Sequence, residues 1–146
     1  MIPVKIHDGH GQGHDAKITH AGELVVVRGN YDETSTAVMS STATAYNLAL
    51  PRDEEAFIIT GFIINANKNV SATDGAVIEL YEANSVTSTT QTKNLLTLNL
   101  LKNASESVTG ILIKATHGAY INAETDDATV NITLLGYYLP LDKSEL

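Results

Sequence analysis

The chain has no cysteine and no tryptophan in 146 residues, and only nine lysines and arginines against seventeen aspartates and glutamates. Without cysteine there is no disulfide framework, no thiolate nucleophile and no zinc site built on sulfur, so stability has to come from packing and from neighbours. The formal net charge is −8 and the few basic residues are scattered from Lys5 to Lys143, which disfavours binding to a nucleic-acid backbone. Long apolar runs are missing too: "FIITGFII" at 57 to 64 falls far short of the roughly 20 residues of a membrane helix. The start "MIPVKIHDGHG" has no basic segment followed by an apolar one, and is not expected to act as a secretory signal. Also lacking are a Gly-x-Ser-x-Gly nucleophile elbow, a His-Glu-x-x-His pair, and a lysine and helix behind the glycines of "GHGQGH", which removes the common hydrolase, metallohydrolase and phosphate-loop signatures.

What is present is the length of one ordinary domain, able to bury a core without staples, and a hydrophobic period of two. Period two sends alternate side chains to opposite faces of a sheet. In "ATVNITLLGYYL" at 128 to 139, Val130, Ile132 and Leu134 oppose Asn131 and Thr133. In "NLLTLNLL" at 94 to 101, Leu96, Leu98 and Leu100 oppose Thr97 and Asn99, and in "AVIELYEA" at 76 to 83, Ile78 and Leu80 oppose Glu79 and Tyr81. Further strands are expected at 3–7, 16–20, 23–28, 41–50, 56–66, 110–115 and 119–124, separated by polar, turn-prone connections such as "RGNYDETS" at 28–35, "PRDEE" at 51–55 and "KNASESVTG" at 102–110.

Many short strands at even spacing, with no long amphipathic helix, predict an all-β, single-domain antiparallel β-sandwich of the jelly-roll kind over residues 1–146. Residues 1–22 form a strand and a Gly/His-rich turn arm in this reading, and 140–146 a short C-terminal tail. The expected core is Ile58, Phe62, Ile64, Ile78, Leu80, Leu96, Leu98, Ile111, Ile113, Val130, Ile132 and Leu134. An internal echo, "TDGAVIEL" at 73–80 and "TDDATVNI" at 125–132, predicts turns in which Asp74 and Asp126 accept backbone N–H groups where the chain enters the sheet. Calcium is the competing reading for Glu124, Asp126 and Asp127, although its sites gather about six to eight oxygens from denser acidic loops.

Three segments together resemble a group of small virion proteins of tailed bacteriophages: "VKIHDGHGQGHDAKITHAGELVV" near the start, "ITGFIINANKNVSATDGAVIELYEA" in the middle and "GAYINAETDDATVNITLLGYYLP" at the end. They cover most of the chain in the group's order; residues 29–55 match only loosely. The resemblance implies a non-enzymatic structural part of the particle, a head decoration or cement protein that binds the major capsid protein as a homo-oligomer, a trimer, with no cofactor and no nucleic-acid or membrane partner. Its place would be the surface of the virion head, after assembly in the host cytoplasm. Tail, neck or fibre proteins are the alternative within that setting. A carbohydrate-binding sandwich is the alternative outside it, with Tyr31, Tyr46, Tyr81, Tyr120, Tyr137 and Tyr138 as its platforms besides Phe57 and Phe62.

The densest chemistry in the sequence is "IHDGHGQGHDAKITH" at 6–20, which packs His7, His10, His14 and His20 with Asp8 and Asp15 around Gly9, Gly11 and Gly13. Asp8 and the three glycines coincide with the group's pattern, whereas the histidines do not. Glycine supplies the positive φ that such a turn uses, and His7, His10 and His14 then read as solvated loop residues. Zinc or nickel would need three or four ligands at about 2.0 to 2.1 Å, and a glycine loop can supply them only if something orders it, such as a threefold axis that brings one histidine from each chain. No metal, catalytic or cofactor residue is assigned. His117 in "THGAY" reads as a turn residue, and the adjacent Glu54 and Glu55 would face apart on a strand, unlike a glycosidase pair.

Overall fold

The computed structural model describes residues 30–40, 42–66, 75–127 and 130–141. Eight strands follow one another in them: β1 (Asn30–Met39), β2 (Tyr46–Ala49), β3 (Glu55–Ala66), β4 (Ala76–Ala83), β5 (Lys93–Leu100), β6 (Ser105–Lys114), β7 (Tyr120–Thr125) and β8 (Val130–Pro140). They form two four-stranded antiparallel sheets, ordered β1-β8-β3-β6 and β2-β7-β4-β5. Only the β4–β5 connection joins neighbours within a sheet; every other one crosses from sheet to sheet. That is the wrapping of an eight-stranded jelly roll, so the expected fold class holds.

The core lies between the sheets and follows the period of two along β8, where Val130, Ile132, Leu134 and Tyr138 are buried. Opposite them on β3 stand Ala66, Ile64, Phe62 and Phe57. Here the strict alternation breaks. β8 pairs Gly136 with Ile59 and Leu135 with Gly61, leaving Thr60 as an extra residue. A one-residue bulge exchanges the two faces of the bulged strand. Phe57 and Ile59 therefore join the inter-sheet cluster ahead of the bulge and Phe62 and Ile64 behind it. Ile58, expected in that core, is buried but stands outside the cluster. Phe62, Ile64, Ile78, Leu80, Val130, Ile132 and Leu134 occupy the core as expected, while Leu96, Leu98, Ile111 and Ile113 pack against it half-buried.

Three boundaries differ from the sequence reading, each on an edge strand. β1 occupies residues expected to be a connection, and pairs with β8 from Thr34↔Leu135 to Met39↔Val130. Its outer side sets Thr34 and Thr36 beside the exposed Val38, with the Thr36 hydroxyl 3.0 Å from that of Thr133, and among its described side chains only Ala37 and Met39 turn inward to the core, too little for an apolar alternation to show. β6 starts at Ser105 instead of 110, and its register against β3 jumps between Ile113 and Thr109. Gly110, at φ +76°, sits inside that jump, so Val108 and Ile111 both turn inward although three residues apart. β2 shrinks from the expected 41–50 to Tyr46–Ala49, because Ala43 adopts a φ of 50° in a turn.

Candidate functional site

The outer face of the β2-β7-β4-β5 sheet holds the densest set of interacting polar side chains among the described residues. Register sets Glu79 of β4 beside Glu124 of β7, Tyr81 beside Asn122, and Asn47 of β2 on the far side of Asn122. Over this row folds the β4–β5 connection, residues 84–92. Asn122 Nδ2 donates to the carbonyls of Ser85 (2.9 Å) and Ser88 (3.1 Å), the Tyr81 hydroxyl donates to Ser88 O (3.0 Å), and Gln91 Nε2 donates to Glu79 Oε2 (2.8 Å). Asn47 Nδ2 donates to Asn122 Oδ1 at 3.0 Å. The loop buries Tyr81 and Asn122 completely. Tyr81 was expected on the wetter face of β4; it is on the outer face, but the loop has made that face part of the interior.

Electrostatics follow from this burial. Glu124 is held above the ordinary carboxyl range of 4.5, first because burial penalises its charged form and then because it is hydrogen-bonded to the Glu79 carboxyl. The Tyr81 hydroxyl, 3.4 Å from Glu124 Oε2, is pushed well above its usual 10, again by burial first and then by the charge of Glu124. A proton shared between carboxyls is a feature of acid–base sites. A glycosidase pair, however, stands roughly 5 to 9.5 Å apart with a sugar between its members. These two bond to each other, and Gln91 occupies an oxygen of Glu79. The arrangement fastens the loop to the sheet.

Glu82 escaped the sequence reading. It shares the parity of Ile78 and Leu80 and is buried, with Lys93 Nζ at 3.5 Å and the Thr116 N–H donating to Oε1 at 2.9 Å. Parity alone placed a carboxylate inside, which demands partners; the register Glu82↔Lys93 supplies one.

His7, His10, His14 and His20, together with Asp8, Asp15 and Asp74, lie outside the described residues. Asp126 accepts a backbone N–H, but from the start of β4 and not within its own turn: its Oδ1 accepts the Val77 N–H at 2.6 Å, and its own N–H returns to Val77 O at 3.2 Å. That bond and the Glu79–Glu124 contact draw Asp126 and Glu124 apart as ligands, and among the described residues no three His, Asp or Glu side chains converge as a metal site would require. Glu54 is exposed in a turn at φ 58°, and Glu55 pairs with Arg52 at 3.8 Å. His117 is exposed in a turn. Apart from Tyr31, whose side chain is not described, every ring is buried or half-buried. Tyr138 packs edge-on to Phe57 at 5.0 Å and lies under Arg52 at 3.6 Å. These are core rings, unlike the exposed platforms on which sugars stack.

The opposite sheet offers a surface of another kind. On its outer face Thr36, Thr133, Asn131, Asn65, Ser105 and Ser107 surround the exposed Val38 and Ile63. None of these side chains is charged, in a chain of net charge −8.

No family model matches the chain, and no curated protein matches it. Among solved structures it is similar to a chain of the cyanophage Pam1 capsid asymmetric unit, at 17% identity and a TM-score of 0.41, over 84% of this chain and 97% of that one.

Proposed function

We propose that the protein is a non-enzymatic structural component of a phage particle, a decoration or cement protein that binds the major capsid protein on the outer head surface as a homotrimer. The observation that carries this reading is where the resembling segments fall. "ITGFIINANKNVSATDGAVIELYEA" contains the second half of β3 and all of β4, and "GAYINAETDDATVNITLLGYYLP" contains β7 and β8. These are the central strands of both sheets, so the resemblance falls on the part that specifies the sandwich, and the loosely matching 29–55 falls on the edge strands β1 and β2. The uncharged patch around Val38 and Ile63 on the outer face of β1-β8-β3-β6 suits contact with protein, since interface centres are depleted of charge.

The mechanism is mass action. A ligand that bridges neighbouring capsid subunits binds only the assembled lattice and stabilises it in proportion to occupancy. Threefold symmetry in ligand and lattice turns three modest patches into one avid contact. The test is labelling of virions by immunogold or cryo-electron microscopy, with binding of purified protein to assembled heads and to free capsid subunits measured in parallel. Head density at fixed stoichiometry, with preference for the lattice, is the expected result. Density confined to the tail refutes the head assignment, and absence from particles refutes the structural reading.

A further inference from the structure

β5 and β6 are edge strands of different sheets, joined by the connection 101–104. Between them the sandwich is open. An apolar cavity of about 270 Å³ enters there, lined chiefly by Leu95, Leu96, Leu98, Val108, Ile111 and Ile113. All six are only half-buried, and among the described residues β6 pairs with β3 alone. An apolar slot beside the backbone donors and acceptors of a sheet edge takes an extended strand whose alternate side chains are apolar.

We propose that the occupant is the chain's own segment Ile2–His7, added to β6 as a fifth strand. Its sequence alternates Ile2, Val4 and Ile6 with Pro3, Lys5 and His7, so one face is wholly apolar. Pro3 fits as well. Backbone N–H groups point alternately to either side of a strand, so with Ile2, Val4 and Ile6 paired to β6 the missing N–H of Pro3 falls on the solvent side, where edge strands tolerate proline. No other segment outside the described residues fits. Residues 8–22, 67–74 and 142–146 each carry one apolar side chain larger than alanine, Ile18, Val70 and Leu146. Residues 23–28 lead directly into β1, on the opposite edge from β6, and one intervening residue does not cross a sheet about 15 Å wide. Residues 8–29, by contrast, reach roughly 70 Å when extended. The tether holds the segment at a local concentration of about millimolar, which favours the chain's own arm over a second copy's. The inference is independent of attachment to any particle.

The natural chain has no cysteine, so Val4→Cys with Ile111→Cys introduces the only two thiols. Oxidation of the full-length variant should give an intrachain disulfide, located by peptide mapping, while Val4→Cys with Ser40→Cys should give none. A link between chains assigns the slot to a second copy and overturns the proposal, as does no link. Independently, Val4→Asp should accelerate amide exchange in β6 by about tenfold or more while leaving β7 unchanged. Unchanged β6 exchange overturns the proposal even where the variant folds normally.

Discussion

Replacing Gly136 with alanine tests the packing where β8 crosses the bulge of β3. A Cβ built at Gly136 would stand 2.6 Å from Phe57 Cζ and 2.7 Å from Phe57 Cε1, and would also strike the carbonyl oxygen of Ile58. Neither neighbour gives way freely. The Phe57 ring is held edge-on to Tyr138, whose hydroxyl in turn donates to Leu50 O at 2.7 Å. Ile58 belongs to the β3–β8 register, so moving its carbonyl disturbs the ladder itself. Overpacking of this kind destabilises by about 1 to 3 kcal/mol, and by more where backbone must move. With an unfolding entropy of about 2.1 cal/mol/K per residue, a chain of this length loses roughly 3 °C in Tm per kcal/mol, so Gly136→Ala should melt about 3 to 10 °C below wild type. Differential scanning calorimetry measures it. Adding Phe57→Leu should recover part of the loss, since residues in contact are energetically coupled. Gly136→Ala at the wild-type Tm, or a double variant that is merely additive, would refute the reasoning.

Ile132→Asp places an unpaired charge at a fully buried site, which typically costs several kcal/mol, and should abolish the cooperative unfolding transition followed by circular dichroism; a soluble, cooperatively melting variant contradicts the core assignment. Because the folded state holds the Glu124 proton more tightly than the unfolded state does, wild-type stability should fall as pH rises from 4.5 through the raised folded value. Glu124→Gln removes that fall, so its Tm advantage over wild type should widen between pH 4 and pH 8, and a constant difference refutes the shared-proton reading. Replacing His7, His10 and His14 with serine should leave Tm unchanged with and without a chelator; a wild-type Tm that drops by several degrees on chelation restores the symmetric metal site.

The elements that the sequence revealed are those with two unequal faces and regular pairing. β4, β7 and β8 carry clean alternation because each lies inside a sheet, one side against the core, and their boundaries fall within two residues of the expected ones. Edge strands β1 and β6 show less, although β5, also at an edge, keeps its alternating leucines and lies within one residue of its expected bounds. β1 contributes Ala37 and Met39 to the core from a decapeptide whose first seven residues are polar apart from Tyr31, and the signal at that composition resembles a loop. β6 has its inward set divided by Gly110, so the period of two is interrupted where it would have been recognised. Within β3 the apolar residues are visible in the sequence but their sides are not: "FIITGFII" is apolar on both faces, and only the pairing of Gly136 with Ile59 and Leu135 with Gly61 shows that Thr60 is extra.

The polar cluster was hidden for a related reason. Glu79 and Tyr81 read as the wetter face of β4, and register sets Glu124 and Asn122 of β7 beside them on that face. Burial comes from residues 84–92, a stretch of serines, threonines and a glutamine that by composition belongs in solvent. Its backbone carbonyls at Ser85 and Ser88 accept from Asn122 and Tyr81, so the groups that make it look like a free loop are the groups that bind it down. Side-chain amides and hydroxyls on a sheet face can satisfy the carbonyls of a loop laid over them, and the underlying strands then acquire a second buried side. Tyr81 and Asn122 are consequently as inaccessible as Ile78 and Ile121, and Glu124, with a carboxyl neighbour and a buried phenol, keeps its proton longer than an exposed carboxyl would. Period two tells which side of a strand a residue occupies; whether that side is wet depends on where the connections run.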